Sequence, residues 1–189
     1  MNKKILFVID MQNDFIDGSL GSEDAKKIVP NVVNLIENFH GDIWFTQDTH
    51  FYKPENQYRT SYENTLEGKF LPIQHCIDKS KGWELNPEIL KAASKYNYPK
   101  VRFFMKYTFG SMDLMKEASL YLWENPKSDD EIYICGLCTD ICVVSNALLL
   151  RAQFPNIHIY CYKDCCAGTS KEAHEAALKV MQSCQIEII

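Results

Sequence analysis

Two hydrophobic periods alternate along the chain. Lys4–Ile9 is a short run of β-branched and aromatic residues closed by Asp10, the signature of a strand. In Ala25–Phe39 the apolar positions fall at Ile28, Val32, Leu35, Ile36 and Phe39, close to the helical repeat. The alternation continues with strands predicted at Asp42–Thr46, Val101–Met105, Glu131–Cys135, Ile157–Tyr162 and Gln185–Ile189. Between them fall helices at Pro87–Tyr96, Met112–Trp123, Asp140–Gln153 and Ser170–Ser183. Pro87 suits a first helical turn. Ser170 is a cap candidate, and Glu172–Glu175 brings negative charge to the positive end of that helix. Only Thr49–Trp83 lacks a period. It holds Pro, Gly and scattered charge, is too long for a plain connector, and predicts a functional excursion.

Six strands separated by helices predict one α/β domain over residues 1–189. Its expected form is three-layer and doubly wound, with a mainly parallel six-stranded sheet. Such sheets bind ligands at the carboxyl ends of the strands, near the topological switch point. The polar residues following each strand are therefore the candidates. They are Asp10, Asn13 and Asp14, then Asp48 and His50, then Lys106. After the fourth strand come Cys138, Asp140 and Cys142, and after the fifth Lys163, Asp164, Cys165 and Cys166.

Composition narrows the function classes. The 189 residues are 46% hydrophobic and 24% charged, with a net charge of −5. That is the usage of a globular domain with a core of its own. The acidic balance argues against nucleic acid and anionic membrane as partners. No apolar run approaches a bilayer span, and the N-terminus reads as a first strand, without a signal peptide's apolar length or cleavage site. Eight cysteines in a chain long enough to fold without staples predict free thiols and a cytoplasmic setting.

One thiol is placed for chemistry. Cys142 follows Gly136-Leu137-Cys138-Thr139-Asp140-Ile141, in the first turn of a helix entered from a strand. Unpaired N–H groups and the helix dipole there lower a thiol pKa and can receive an oxyanion. Alone, Cys142 reads equally as a buried small residue. Asp10, ending a buried strand, needs a cation or proton donor, although it could also cap a turn with Asn13. Lys106 alone reads as a solvated loop charge. Together the three form an acid, a base-capable amine and a nucleophile. Asp10 can deprotonate Cys142 and return the proton to a leaving amine.

Asp48-x-His50 puts two ligand-type side chains on one side of an extended segment, and Glu67 and His75 follow in the excursion. Carboxylate with imidazole suits Zn²⁺, with Mn²⁺ or Fe²⁺ as alternatives. Two polar surface residues explain such a pair more often than not.

Four segments carry a resemblance. They are Phe7-Val8-Ile9-Asp10-Met11-Gln12-Asn13-Asp14-Phe15, Phe45-Thr46-Gln47-Asp48-Thr49-His50, Lys106-Tyr107-Thr108-Phe109-Gly110-Ser111 and Gly136-Leu137-Cys138-Thr139-Asp140-Ile141-Cys142-Val143. In this order the chain resembles, end to end, the isochorismatase-like cysteine hydrolases, and within them the nicotinamidases. The resemblance implies the isochorismatase-like hydrolase fold and an Asp10–Lys106–Cys142 triad. It implies a cis peptide at Leu137–Cys138 and an oxyanion hole from the Cys138 and Cys142 amides. Phe15 would line the substrate pocket. A divalent metal would bind through Asp48, His50 and His75, with Glu67 as third ligand or Glu63 in its place, and would orient a pyridine nitrogen. The implied reaction is hydrolysis of a small amide, nicotinamide to nicotinate and ammonia through a thioester, in NAD salvage. Oligomerisation is left open. Other readings remain: a superfamily member acting on an N-carbamoyl or other small amide, a redox or metal protein built on Cys135, Cys138, Cys165 and Cys166, and a catalytically idle interaction module.

Overall fold

The computed structural model describes residues 2–53, 59–96, 100–123 and 129–189. Residues 54–58 of the predicted excursion lie outside the described residues. Six strands form one sheet: β1 (Lys4–Ile9), β2 (Asp42–Asp48), β3 (Val101–Lys106), β4 (Glu131–Leu137), β5 (His158–Ala167) and β6 (Glu187–Ile188). Their order is β3-β2-β1-β4-β5-β6, and every pairing between them is parallel. β1 lies at the centre, with Ile5 opposite Asp42 on one side and Ile132 on the other. Residues Ile5 to Ile9 are wholly buried. A strand covered on both faces reads as an unbroken apolar run, which is why Lys4–Ile9 does not alternate.

The helices, in chain order, are the single turn α1 (Asn13–Ile16), α2 (Glu23–Asn38), the short α3 (Leu66–Phe70), α4 (Pro87–Ala93), α5 (Met112–Trp123), α6 (Val144–Gln153) and α7 (Lys171–Ser183). α2 and α4 pack together, while α5, α6 and α7 pack in a row. Right-handed crossovers put these two groups on opposite faces. Chain direction across the sheet reverses between β1 and β4, the switch point where ligands bind. Ser22 and Ser170 cap α2 and α7, accepting from the Ala25 and Ala173 N–H groups at 3.0 and 3.1 Å.

Several predicted bounds shift for identifiable reasons. β2 and β4 each run two residues beyond the predicted end, β2 through the buried polar pair Gln47 and Asp48 and β4 through Gly136 to Leu137. β5 extends to Ala167, and its register against β4 slips between Ile134 and Gly136. Lys163, Asp164, Cys165 and Cys166 thus lie inside a bulged strand and not after it. The helix expected at Asp140–Gln153 opens as a π turn, Thr139–Val143, before α6 begins. The Pro87–Tyr96 helix is regular only to Ala93. All eight cysteines are free, and no helix among the described residues is long and apolar enough to cross a membrane.

Candidate active site

The carboxyl ends of β1, β2, β3 and β4 bring the sequence candidates to one place. Asp10 follows β1 with φ of 46°, a conformation tolerated by Asp more readily than by most residues. Lys106 ends β3 directly opposite Asp48 of β2. Its Nζ lies 2.8 Å from Asp10 Oδ2, 3.1 Å from Asp48 Oδ1 and 3.4 Å from Cys142 Sγ. All four side chains are buried. Thr46 completes the Asp10 shell. Its hydroxyl donates to Asp10 Oδ1 at 2.7 Å and accepts from the Asp10 N–H at 3.1 Å.

Burial sets the proton inventory. It raises the Asp10 carboxyl, against the opposing charge of Lys106. Burial would depress Lys106, but Asp10, Cys142 and Asp48 hold the ammonium well above the usual lysine range. Helix placement alone predicted a lowered Cys142 thiol. Burial instead pushes it well above the usual thiol range; Lys106 opposes this, and Asp10 and Asp48 add to it. Burial therefore keeps Cys142 as a thiol close to the Asp10 carboxyl.

The nucleophile turn is shaped by Gly136 and by the cis Leu137–Cys138 peptide. Gly136 has φ of 123°, and a Cβ there would sit 2.0 Å from the Ile9 carbonyl oxygen. Only glycine lets β4 pass β1 at this point. The Cys138 carbonyl accepts from the Ile141 and Val143 N–H groups, both at 3.1 Å.

A second cluster adjoins the first. Atoms of Asp48, His50, Glu67 and His75 that could bind a metal all lie within 4.8 Å of one another. Asp48 Oδ2 is 2.9 Å from His50 Nε2 and 3.6 Å from His75 Nε2. Glu67 Oε1 is 3.7 and 3.5 Å from the same two nitrogens. Glu67 reaches in from α3, whose Thr65 cap accepts from the Gly68 N–H at 2.9 Å. Glu63 is exposed on the preceding 3₁₀ turn and lies outside the cluster. His75 Nδ1 meets the Ile73 carbonyl at 2.9 Å, so Nε2 is the nitrogen turned to the cluster, the usual way a ligating imidazole is oriented. The Tyr62 ring packs on both imidazoles. Burial would lower His75, yet the nearby Asp48 and Glu67 carboxylates and the Ile73 carbonyl push it up to about 9. Two carboxylates and two imidazoles thus converge where positive charge is favoured, and this donor set fits a borderline divalent metal.

Both clusters open on one cavity of about 840 Å³. Phe15, Asp48, His50, Glu67, His75 and Cys142 are among its lining. The Phe15 ring stands 5.5 Å from that of His75. Tyr107, Phe109, Leu137 and Ile141 add apolar wall. Lys163, Asp164, Cys165 and Cys166 do not line it. Cys135 is buried within β4, and the metal-type cluster among the described residues contains no cysteine.

Sequence reasoning assigned no role to the residues that hold this arrangement. The Gln12 amide accepts from the Asp48 N–H at 2.7 Å and donates to the Asp48 and Trp83 carbonyls at 2.9 and 2.8 Å. Asp14 accepts from the Cys76 N–H at 2.7 Å, bracing the loop that carries His75. Thr139 and His174 meet at 2.8 Å beside the nucleophile turn. Gln12 and Asn146 were visible only as polar residues in apolar surroundings.

Fold and cavity together define an α/β protein in which a buried acid, amine and thiol meet beside one cavity at the switch point of the sheet. The Isochorismatase domain model matches residues 4–189, and the chain belongs to that family. Within it the chain stands with the nicotinamidases, amidase hydrolases that act on a C–N amide bond. The nicotinamidase of Schizosaccharomyces pombe is 26% identical over 205 residues, covering 97% of this chain and 91% of that protein. The isochorismatase family protein PncA of Bacillus subtilis is 30% identical over 182 residues, covering 93% and 92%. A crystal structure of the B. subtilis nicotinamidase/pyrazinamidase PncA superposes with a TM-score of 0.80 at 26% identity, covering 98% of each chain.

Proposed function

We propose that the protein hydrolyses nicotinamide to nicotinate and ammonia through a thioester on Cys142. The observation that carries this reading is the adjacency of the Asp10–Lys106–Cys142 cluster to the Asp48–His50–Glu67–His75 cluster in one aromatic-lined cavity. The second cluster separates this reading from metal-free hydrolysis of N-carbamoyl compounds, and its lack of cysteine argues against a cysteine-based metal protein. A divalent metal bound there, Zn²⁺ first among the choices, would supply a Lewis-acidic point for the pyridine nitrogen and so orient the ring.

The chain's own residues carry the remaining chemistry. Phe15 packs on the ring and excludes water. Asp10 takes the Cys142 proton as Sγ attacks the amide carbon, forming the S–C bond. The Cys138 and Cys142 amides receive the oxyanion. Lys106, a fixed cation between Asp10, Asp48 and Cys142, holds both carboxylates in register and stabilises negative charge on sulfur. Asp10 passes its proton to the departing nitrogen, the C–N bond breaks and ammonia leaves. Asp10 then takes a proton from water. The hydroxide adds to the thioester carbon, the S–C bond breaks, and sulfur is reprotonated as nicotinate leaves.

The test is product stoichiometry. Purified protein given nicotinamide should release nicotinate and ammonia in equal amounts, and Cys142→Ala should release neither while keeping its far-UV circular dichroism. Turnover above background in that variant would sink the mechanism.

A further inference from the structure

Asn146 lies one turn beyond Cys142 on α6 and is wholly buried. A buried carboxamide is costly unless each polar atom finds a partner, and here both are used. Nδ2 donates to the Cys142 carbonyl at 2.8 Å and to the Phe109 carbonyl at 3.1 Å. Oδ1 accepts from the Ser111 N–H at 2.9 Å. Two of the three bonds thus go to the connection after β3, which starts at Lys106 and forms a cavity wall at Tyr107, Thr108 and Phe109. The third goes to the nucleophile's own backbone. Among the described hydrogen bonds, only the Lys106–Cys142 contact otherwise ties this connection to the nucleophile turn. The connection also sits tightly on α6: a Cβ at Gly110 would come 2.6 Å from Leu149 Cδ1.

We propose that Asn146 is a positioning residue whose carboxamide fixes the Phe109 wall relative to the Cys142 thiol, and so sets the alignment of a bound ring amide over Sγ. The inference rests on the amide-hydrolase reading above. It assigns Asn146 no contact with substrate. A near-attack geometry is sensitive to displacements of about 1 Å, which cost on the order of 10²-fold in rate. A wall that recedes from the thiol should therefore depress kcat more than it weakens ring binding. It should leave the thiol's own chemistry toward a small reagent intact.

The experiment compares Asn146→Leu, which keeps volume but removes all three bonds, with Asn146→Ser, which retains a small hydroxyl. Each is read as a ratio to the parent, on whichever small aromatic amide the parent turns over. A parent that turns over none refutes the amide-hydrolase reading itself, before any variant is compared. Two rates are measured below the melting temperature of each variant: steady-state turnover, and alkylation of Cys142 by iodoacetamide followed by mass spectrometry of its peptide. The expected result is a fall in kcat of about 10²-fold, a KM within about threefold of the parent, and alkylation within about twofold. Asn146→Ser should show the same split if Asn146→Leu does not fold. A folded variant of lowered melting temperature but parental kcat would make Asn146 merely structural and overturn the proposal. Equal losses in turnover and alkylation would place the effect on the thiol itself and overturn it as well.

Discussion

Lys106 shows at the residue scale how one side chain decides several others. It is buried against two carboxylates, Asp10 and Asp48, at 2.8 and 3.1 Å. Removing one partner of a buried ionic cluster leaves uncompensated charge and costs about 3–5 kcal/mol. Lys106→Met should therefore lower the unfolding free energy from urea titration by that amount as well as abolish turnover. Adding Asp10→Asn removes one stranded carboxylate. The double variant should regain part of the stability and none of the activity, as equilibrium unfolding and ammonia release would show. A double variant no more stable than Lys106→Met would mean that the Asp10 charge is not what the lysine compensates. Asp10, Lys106 and Cys142 were legible in the sequence because each follows an apolar run at a predicted strand end. Thr46 and Gln12 were not, since the groups they satisfy lie 36 residues away.

The close approach of β4 to β1 and the placement of α3 set the site at the scale of elements. Gly136→Ala would set a Cβ against the Ile9 carbonyl at a φ that side chains rarely adopt. Strain of this kind costs about 1–3 kcal/mol, and the clash adds to it. The expected outcome is a lower melting temperature together with lost turnover, since the displaced turn is the one that carries Cys142. A melting temperature and turnover matching the parent would contradict the account. α3 brings Glu67 to the metal-type cluster. Glu67→Ala should weaken Zn²⁺ affinity by at least about 10-fold, read by competition with a chromophoric chelator, whereas Glu63→Ala should leave it unchanged. Strand existence and order of elements were legible from periodicity. Strand ends were not, because Gln47, Asp48 and Lys163 are polar residues inside β2 and β5, and a hydrophobic pattern stops where such residues begin. The metal-type cluster was half legible: Asp48-x-His50 is local, but the choice of Glu67 over Glu63 depends on how α3 docks.

The whole molecule is a buried core with one elaborated edge. β1 and β4 pair from Lys4–Glu131 to Ile9–Gly136, so the central strands both build the core and aim the two halves of the catalytic cluster. Ile134 is wholly buried at that junction, and Ile134→Ala should cost about 2–5 kcal/mol by urea denaturation. The described residues between His50 and Trp83 are tied back to this core through Gln12 and Asp14, and they supply His50, Glu67 and His75. The cavity wall is therefore shared between the core and the excursion. In the proposed reaction both parts act on one substrate. The measurement that tests this most directly is ammonia release from nicotinamide by protein stripped with a chelator and then reloaded with Zn²⁺. The account predicts turnover that falls to background on stripping and returns on reloading. Undiminished turnover in protein shown to be metal-free would contradict it.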